Sequence, residues 1–198
     1  MNLDPRKTAV LGLDLQEGIF GFVPGAVACV PAAARAFDAA RRAGARVLHV
    51  GLGFEPGYPE ISPRHPRFSM LKERGVFLKG SDSAKFHAEL IRPGETVVYK
   101  HRVSAFAGNS LHMILRAQGV ENLVLFGIAT SGIVLSTLRA ASDLDFRCVV
   151  VKDACYDADP EVHRVLTEKI FAAQADVVAA DALDAALRPV SSSSKCNT

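Results

Sequence analysis

The chain has 198 residues, 49% hydrophobic and 22% charged with no Trp, enough apolar material for one well-buried domain and too little length to expect two. Its 23 Lys and Arg nearly balance 21 Asp and Glu, and a formal charge of +2 excludes the phosphate-neutralising footprint of a nucleic-acid binder. The apolar runs are strand-sized, the opening MNLDPRKTAV lacks the apolar stretch of a secretory peptide, and Cys29, Cys148, Cys155 and Cys196 show no metal-site or disulfide spacing. A cytoplasmic protein off the membrane is expected.

Apolar, β-branched-rich runs alternate with segments of helical period, the pattern of a parallel sheet with helices on both faces. In chain order the strands are predicted at about Ala9–Leu13, Arg46–Gly51, Thr96–Tyr99, Leu123–Gly127, Arg147–Val151 and Asp176–Ala179. After the first strand, Pro31 at a first-turn position, an apolar face at Val30, Ala33, Ala34 and Phe37, and Gly44 as a left-handed stop define a helix. Between the second and third strands, residues 54–92 are too long for an ordinary connection and are rich in Pro, Gly and charge. They are either a lid, with Arg64 offered to a substrate carboxylate, or a solvated loop. Further helices are expected over about Gly108–Gln118, stopped by Gly119, and about Gly132–Leu144, with Ile133, Thr137, Leu138 and Ala141 on one stripe and an Arg139–Asp143 pair. Asp159-Pro160 reads as the cap and first turn of another, with Val162, Val165, Leu166 and Ile170 on its face. The fold class is α/β with six parallel strands in one domain over 1–188, followed by a polar, disordered tail, PVSSSSKCNT.

In such sheets ligands bind beyond the carboxyl ends of the strands. Asp14 closes the first strand, Lys100 with His101 closes the third, and Ala129, Thr130 and Ser131 follow the fourth. Were the first and third strands neighbours, Asp14 and Lys100 would make a carboxylate–ammonium pair, open to two readings: a structural ion pair or a proton-transfer pair. Phe20 and Phe106 are either pocket walls or core, and His49 is expected to be a satisfied structural histidine.

Asp14-Leu15-Gln16, then Lys100 with Ser104-Ala105-Phe106-Ala107-Gly108-Asn109, then Gly127-Ile128-Ala129-Thr130 leading into Ser136-Thr137-Leu138-Arg139, resemble in order and separation the isochorismatase-like (cysteine hydrolase) family over about residues 8–180. The resemblance implies a three-layer αβα, Rossmann-like hydrolase. It also implies general acid/base catalysis at Asp14, a cation at Lys100, a cis peptide near Ala129-Thr130, and a homo-oligomer, dimer or tetramer. Gln16, Phe20, Arg64, His101, Phe106, Ala129, Thr130, Ser131 and Ile133 become the candidate substrate-binding residues.

Ile133 stands where the family's amidases carry the nucleophilic Cys, and an alkyl side chain cannot attack a carbonyl. Cys148 and Cys155 read as buried small hydrophobes, Ser131 as a helix cap, and Ser136 as a hydroxyl without a base. The branch that this chain resembles in lacking the Cys hydrolyses a vinyl ether by carbon protonation and releases pyruvate. No metal is expected, because the stretch after the second strand, Gly51-Leu52-Gly53-Phe54-Glu55, lacks the Asp-x-His of the metal-binding relatives. No cofactor is expected, and the partner is a small molecule. The alternatives are a non-catalytic binding or oligomerisation module on the same scaffold and an amidase with a displaced nucleophile.

Overall fold

The computed structural model describes residues 1–187; the tail expected over 189–198, with Cys196, lies outside the described residues. In chain order the elements that frame the molecule are β1 (Thr8–Leu13), α1 (Glu17–Phe22), α2 (Val30–Ala43), β2 (Arg46–Leu52), α3 (Pro66–Glu73), β3 (Thr96–Lys100) and α4 (Leu111–Ala117). They continue with β4 (Asn122–Gly127), α5 (Leu135–Asp143), β5 (Arg147–Val151), α6 (Pro160–Val165), β6 (Ala175–Val178) and α7 (Leu183–Ala186). The strands form one six-stranded parallel sheet in the order β3-β2-β1-β4-β5-β6, with helices on both faces.

The chain winds outward from β1 through β2 to β3, then returns beside β1 and winds the other way. The reversal falls between β1 and β4, the position where an open sheet parts its loops and leaves a crevice. β1 is buried along its whole length, as a central strand covered on both faces must be. At Gly12 a side chain would meet Phe37 of α2 at 2.4 Å, so the bare backbone lets that helix close onto the sheet. At Gly127 the φ of 146° and the Leu13 carbonyl, 1.9 Å from where a Cβ would sit, admit only glycine. That contact locks the end of β4 against the end of β1.

Four details differ from expectation. β2 lies between β1 and β3, so Asp14 and Lys100 close strands that are not neighbours. The helix expected from Gly132 opens instead as a wide π-helical turn over Thr130–Val134 before α5, and Arg139 and Asp143 form no ion pair. α4 begins at Leu111 because Asn109 folds back, its side chain accepting from the Leu111 amide at 2.8 Å. α6 is capped by Asp159 as expected but runs only to Val165 before widening, and of the expected face only Leu166 is buried.

Residues 54–92 are not an unstructured loop, and among the described residues only Leu90 of the segment joins the main core. Leu52, Phe54, Tyr58, Ile61, Phe68, Leu71 and Phe77 form a second, smaller core, and α3 is its helix. The segment therefore caps the crevice as a packed unit.

Candidate active site

Asp14 is the first residue past β1. Its φ of 56° turns the chain out of the sheet, while its amide still donates to the Val50 carbonyl at 2.8 Å, so the turn is made under strand-like restraint. Lys100 ends β3 and reaches across the end of β2, where Leu52 is its registered neighbour. Its Nζ lies 3.0 Å from Asp14 Oδ2 and donates to the Arg102 carbonyl at 3.1 Å. Both side chains are buried, and Asp14 Oδ1 has no hydrogen-bond partner among the described residues. Burial pushes the Asp14 carboxyl above its ordinary range, against the pull of Lys100. Burial likewise pushes Lys100 down, against the pull of Asp14. Both shifts run toward the uncharged forms, which is how a low-dielectric site prepares a proton donor.

The pair faces a cavity of about 210 Å³. Ala129, Gly132 and Ile133, after β4, form one wall. The Ile128-Ala129 peptide is cis, one bond earlier than expected. The turn is tied down from the β5–α6 connection: the Thr130 amide donates to the Tyr156 carbonyl at 2.9 Å, and the Ser131 amide to Asp157 at 2.8 Å.

Of the expected site residues, Asp14, Lys100, Ala129 and Ile133 line the cavity and the others do not. Gln16 is wholly buried and works as a clamp: its amide nitrogen donates to the Leu52 and Ala84 carbonyls, both at 2.8 Å, and its oxygen accepts from the Leu52 amide at 2.7 Å. A side chain at Gly51 would sit 2.5 Å from that amide, so the glycine makes room for it. Phe20 turns away to meet His87 edge-on, and Phe106 packs on Phe146. His101 sits 3.6 Å from Glu60. The Thr130 hydroxyl is buried against His163 Nδ1 at 2.9 Å. Ser131 is exposed, and its hydroxyl caps no helix. Arg64 is exposed and outside the cavity; the arginine at the cavity is Arg67.

Most of the residues missed lie on or beside two helices, with Leu52, Phe77, Val103, Ile128 and Gly132 lining the cavity from elsewhere. Ile19 and Phe22 of α1 with Val23 just past its end, and Arg67, Met70 and Leu71 of α3, line the cavity at i, i+3, i+4 spacing. For α3 the signal was present: Pro66 opens it at a first-turn position and puts Arg67 rather than Arg64 on the helix. Arg67 has no hydrogen bond or ion pair among the described residues, and its charge bears on both Asp14 and Lys100. Cys29, Cys148 and Cys155 are buried away from the cavity, and burial pushes their thiols up to about 12, about 11 and about 12. His49 is buried with Nε2 2.8 Å from Glu95. Among the described residues no three His, Cys, Asp or Glu side chains gather as a metal site, and no helix is long and apolar enough to cross a membrane.

Residues 8–182 match the model of the isochorismatase domain. The chain is 35% identical over 179 residues to a ureidoacrylate amidohydrolase, RutB, of Azorhizobium caulinodans, covering 79% of each chain. It is 31% identical over 180 residues to a maleamate amidohydrolase of Pseudomonas putida, covering 87% of this chain and 83% of that one. In fold it is similar to a crystal structure of a cysteine hydrolase from Pseudomonas syringae pv. phaseolicola, with a TM-score of 0.87 at 17% identity over 94% of this chain and 95% of that one.

Proposed function

The chain belongs to the isochorismatase family of hydrolases, and from that premise we propose that it hydrolyses a small anionic substrate with Asp14 as general acid and base and without a cysteine nucleophile. One observation carries this reading. The wall beside the buried Asp14–Lys100 pair is the hydrocarbon of Ile133, and none of the thiols at Cys29, Cys148 and Cys155 lines the cavity. Chemistry at such a site begins with a proton rather than with a nucleophile.

An enolpyruvyl ether meets that requirement. Asp14 gives its proton to the terminal methylene carbon, leaving an oxocarbenium ion. Water adds to that cation and returns a proton to Asp14, and the resulting hemiketal breaks its C–O bond to release an alcohol and pyruvate. Burial favours the protonated Asp14 that the first step needs. A substrate carboxylate that takes Lys100 as its partner restores the ammonium and weakens the attraction that would ionise Asp14. Arg67, unpaired at the same cavity, is a second cation for an anionic substrate.

The names of the two amidohydrolase relatives favour a second reading, cleavage of a small amide by a displaced nucleophile. One assay separates the two: the purified protein against isochorismate and small amides including maleamate, with pyruvate and ammonia read together and Asp14→Asn alongside. The expected result is pyruvate release that falls by about 10²–10⁴-fold in the variant. Ammonia in its place transfers the reading to the amidase, and silence in both channels overturns hydrolysis in favour of a binding module. The family resemblance carries the expectation of a homo-oligomer, which light scattering checks.

A further inference from the structure

Resting on the vinyl-ether reading, we propose that the alcohol portion of the substrate is apolar and about ring-sized: an aryl or branched-alkyl group, not a ring bearing hydroxyls or a further carboxylate. The argument is the chemistry of the walls. Apart from Asp14, Lys100 and Arg67, the side chains facing the cavity are hydrocarbon, aromatic or thioether, Phe22, Phe68, Phe77, Met70, Leu71 and Ile133 among them. Among the described residues no side-chain hydroxyl, amide or imidazole faces in to receive a polar substituent. A substrate hydroxyl or ureido group enclosed there gives up its water for no side-chain partner, and that penalty rejects polar bodies more strongly than it rewards any of the contacts they make.

Size agrees with chemistry. An apolar cavity of about 150 Å³ holds a benzene. At about 210 Å³ this one admits a six-membered ring and the few further atoms of a short acid.

The mouth shows the same character. Phe22 is 40% exposed and Met70 36% exposed, although both line the cavity. Phe22 is held in place by the Arg74 guanidinium, 5.2 Å from its ring centroid, and by Phe77 at 6.1 Å. A ring seated between these side chains covers surface that the empty site leaves to water.

Calorimetric titration with two saturated, unreactive ethers tests this: α-phenoxypropionate, and α-methoxypropionate, which has the same carboxylate and ether oxygen without the ring. The expected result is that the phenoxy acid binds at least about tenfold tighter, the equivalent of about 1.4 kcal/mol. In Phe22→Ala, confirmed folded by an unchanged circular-dichroism melt, the phenoxy acid weakens several-fold and the methoxy acid does not; Met70→Ala repeats the comparison at a second position. Equal affinity for the two acids, tighter binding of maleamate than of the phenoxy acid, or no binding by any of them overturns the proposal. The vinyl-ether reading fails separately. If α-phenoxypropionate binds but α-phenoxyacrylate yields no pyruvate, the apolar pocket stands and the reaction does not. If isochorismate yields pyruvate while the phenoxy acid fails to bind, the reaction stands and this inference falls.

Discussion

The floor of the cavity and its cap are built differently. The floor is made of strand ends: Asp14 after β1, Lys100 at the end of β3, and the Ile128–Ile133 turn after β4, with Ile128 and Ile133 in the same hydrophobic core that carries the sheet. The cap is the 54–92 segment, packed on a small core of its own, with Ile19 of α1 touching both. The Asp14–Lys100 pair is thus carried by the sheet and its core, and much of the apolar wall of the pocket is set by a unit that packs separately.

The largest effect on stability is expected at the floor. Lys100→Met strands the Asp14 carboxylate in the interior, and breaking a buried pair in this way costs about 3–5 kcal/mol. Urea unfolding at neutral pH measures it. The deficit should shrink on acidification, since Asp14 then protonates and the stranded charge disappears, and it should shrink again in the double variant with Asp14→Asn. A loss below about 1 kcal/mol would mean that the pair is effectively solvated, and the contrast between floor and cap would lose its first term.

At the cap, Phe77→Ala empties the middle of the small core, where truncating a buried Phe costs about 3 kcal/mol or more. Hydrogen exchange shows where that cost falls. Amides of residues 54–87 should exchange faster, while those of β1 and β4 keep their protection. Equal acceleration in both regions would merge cap and sheet into one cooperative unit.

The two regions also differed in how far they could be read from sequence. Asp14 and Lys100 are legible because a buried strand puts the residue at its end at a known edge of a known sheet, whereas Ile133 is reached only through the family resemblance. What sequence did not give was that β2 separates β1 from β3, so that only the length of the lysine side chain makes the pair. Gln16 enters the candidate list with the family motif Asp14-Leu15-Gln16; its clamp on Leu52 and Ala84 depends on the empty space at Gly51, a tertiary fact. Phe20 and Arg64 are the sequence candidates, and it is Phe22 and Arg67 that line the cavity, a difference of helix phase. Once α1 and α3 are drawn as helices, Ile19 and Phe22 share one face and Arg67, Met70 and Leu71 another. The small core itself has no periodic signature, since it joins Leu52 at the end of β2 to Phe77 beyond α3.

A carboxylate at the far end of the sheet sharpens the contrast in pH dependence. Glu95 precedes β3 at its amino end. Burial works against its charge, yet Arg41 at 2.7 Å, His49 at 2.8 Å and the Arg92 amide at 2.9 Å hold its carboxyl down to about 2. With the folded value depressed, the unfolded chain takes up the proton more readily; the stabilisation is complete above pH 4.5 and is lost as pH falls toward 2, a change of about 3 kcal/mol. Asp14 has the opposite sign: its raised value means that the folded state holds the proton more tightly, so acidification through that range favours folding. Acid unfolding is therefore assigned to Glu95 rather than to the active carboxylate, and Glu95→Gln should flatten the stability curve below pH 4.5. A curve that keeps its slope in that variant would return acid sensitivity to the floor.

The smallest effect is expected where the cap meets the substrate. Arg67 is exposed and unpaired among the described residues, so Arg67→Gln removes no internal contact and should leave stability within about 0.5 kcal/mol of the parent. What it loses is a charge-assisted hydrogen bond to an anionic substrate, worth about 1.4 kcal/mol at an accessible site and therefore about tenfold in KM. The turnover step, which the proposed mechanism assigns to Asp14, should keep its kcat. Uniform binding lost at the cap with chemistry kept at the floor is the kinetic form of the division between them. A fall in kcat with KM unchanged would place Arg67 in the proton-transfer machinery instead, acting through the field it exerts on Asp14 and Lys100.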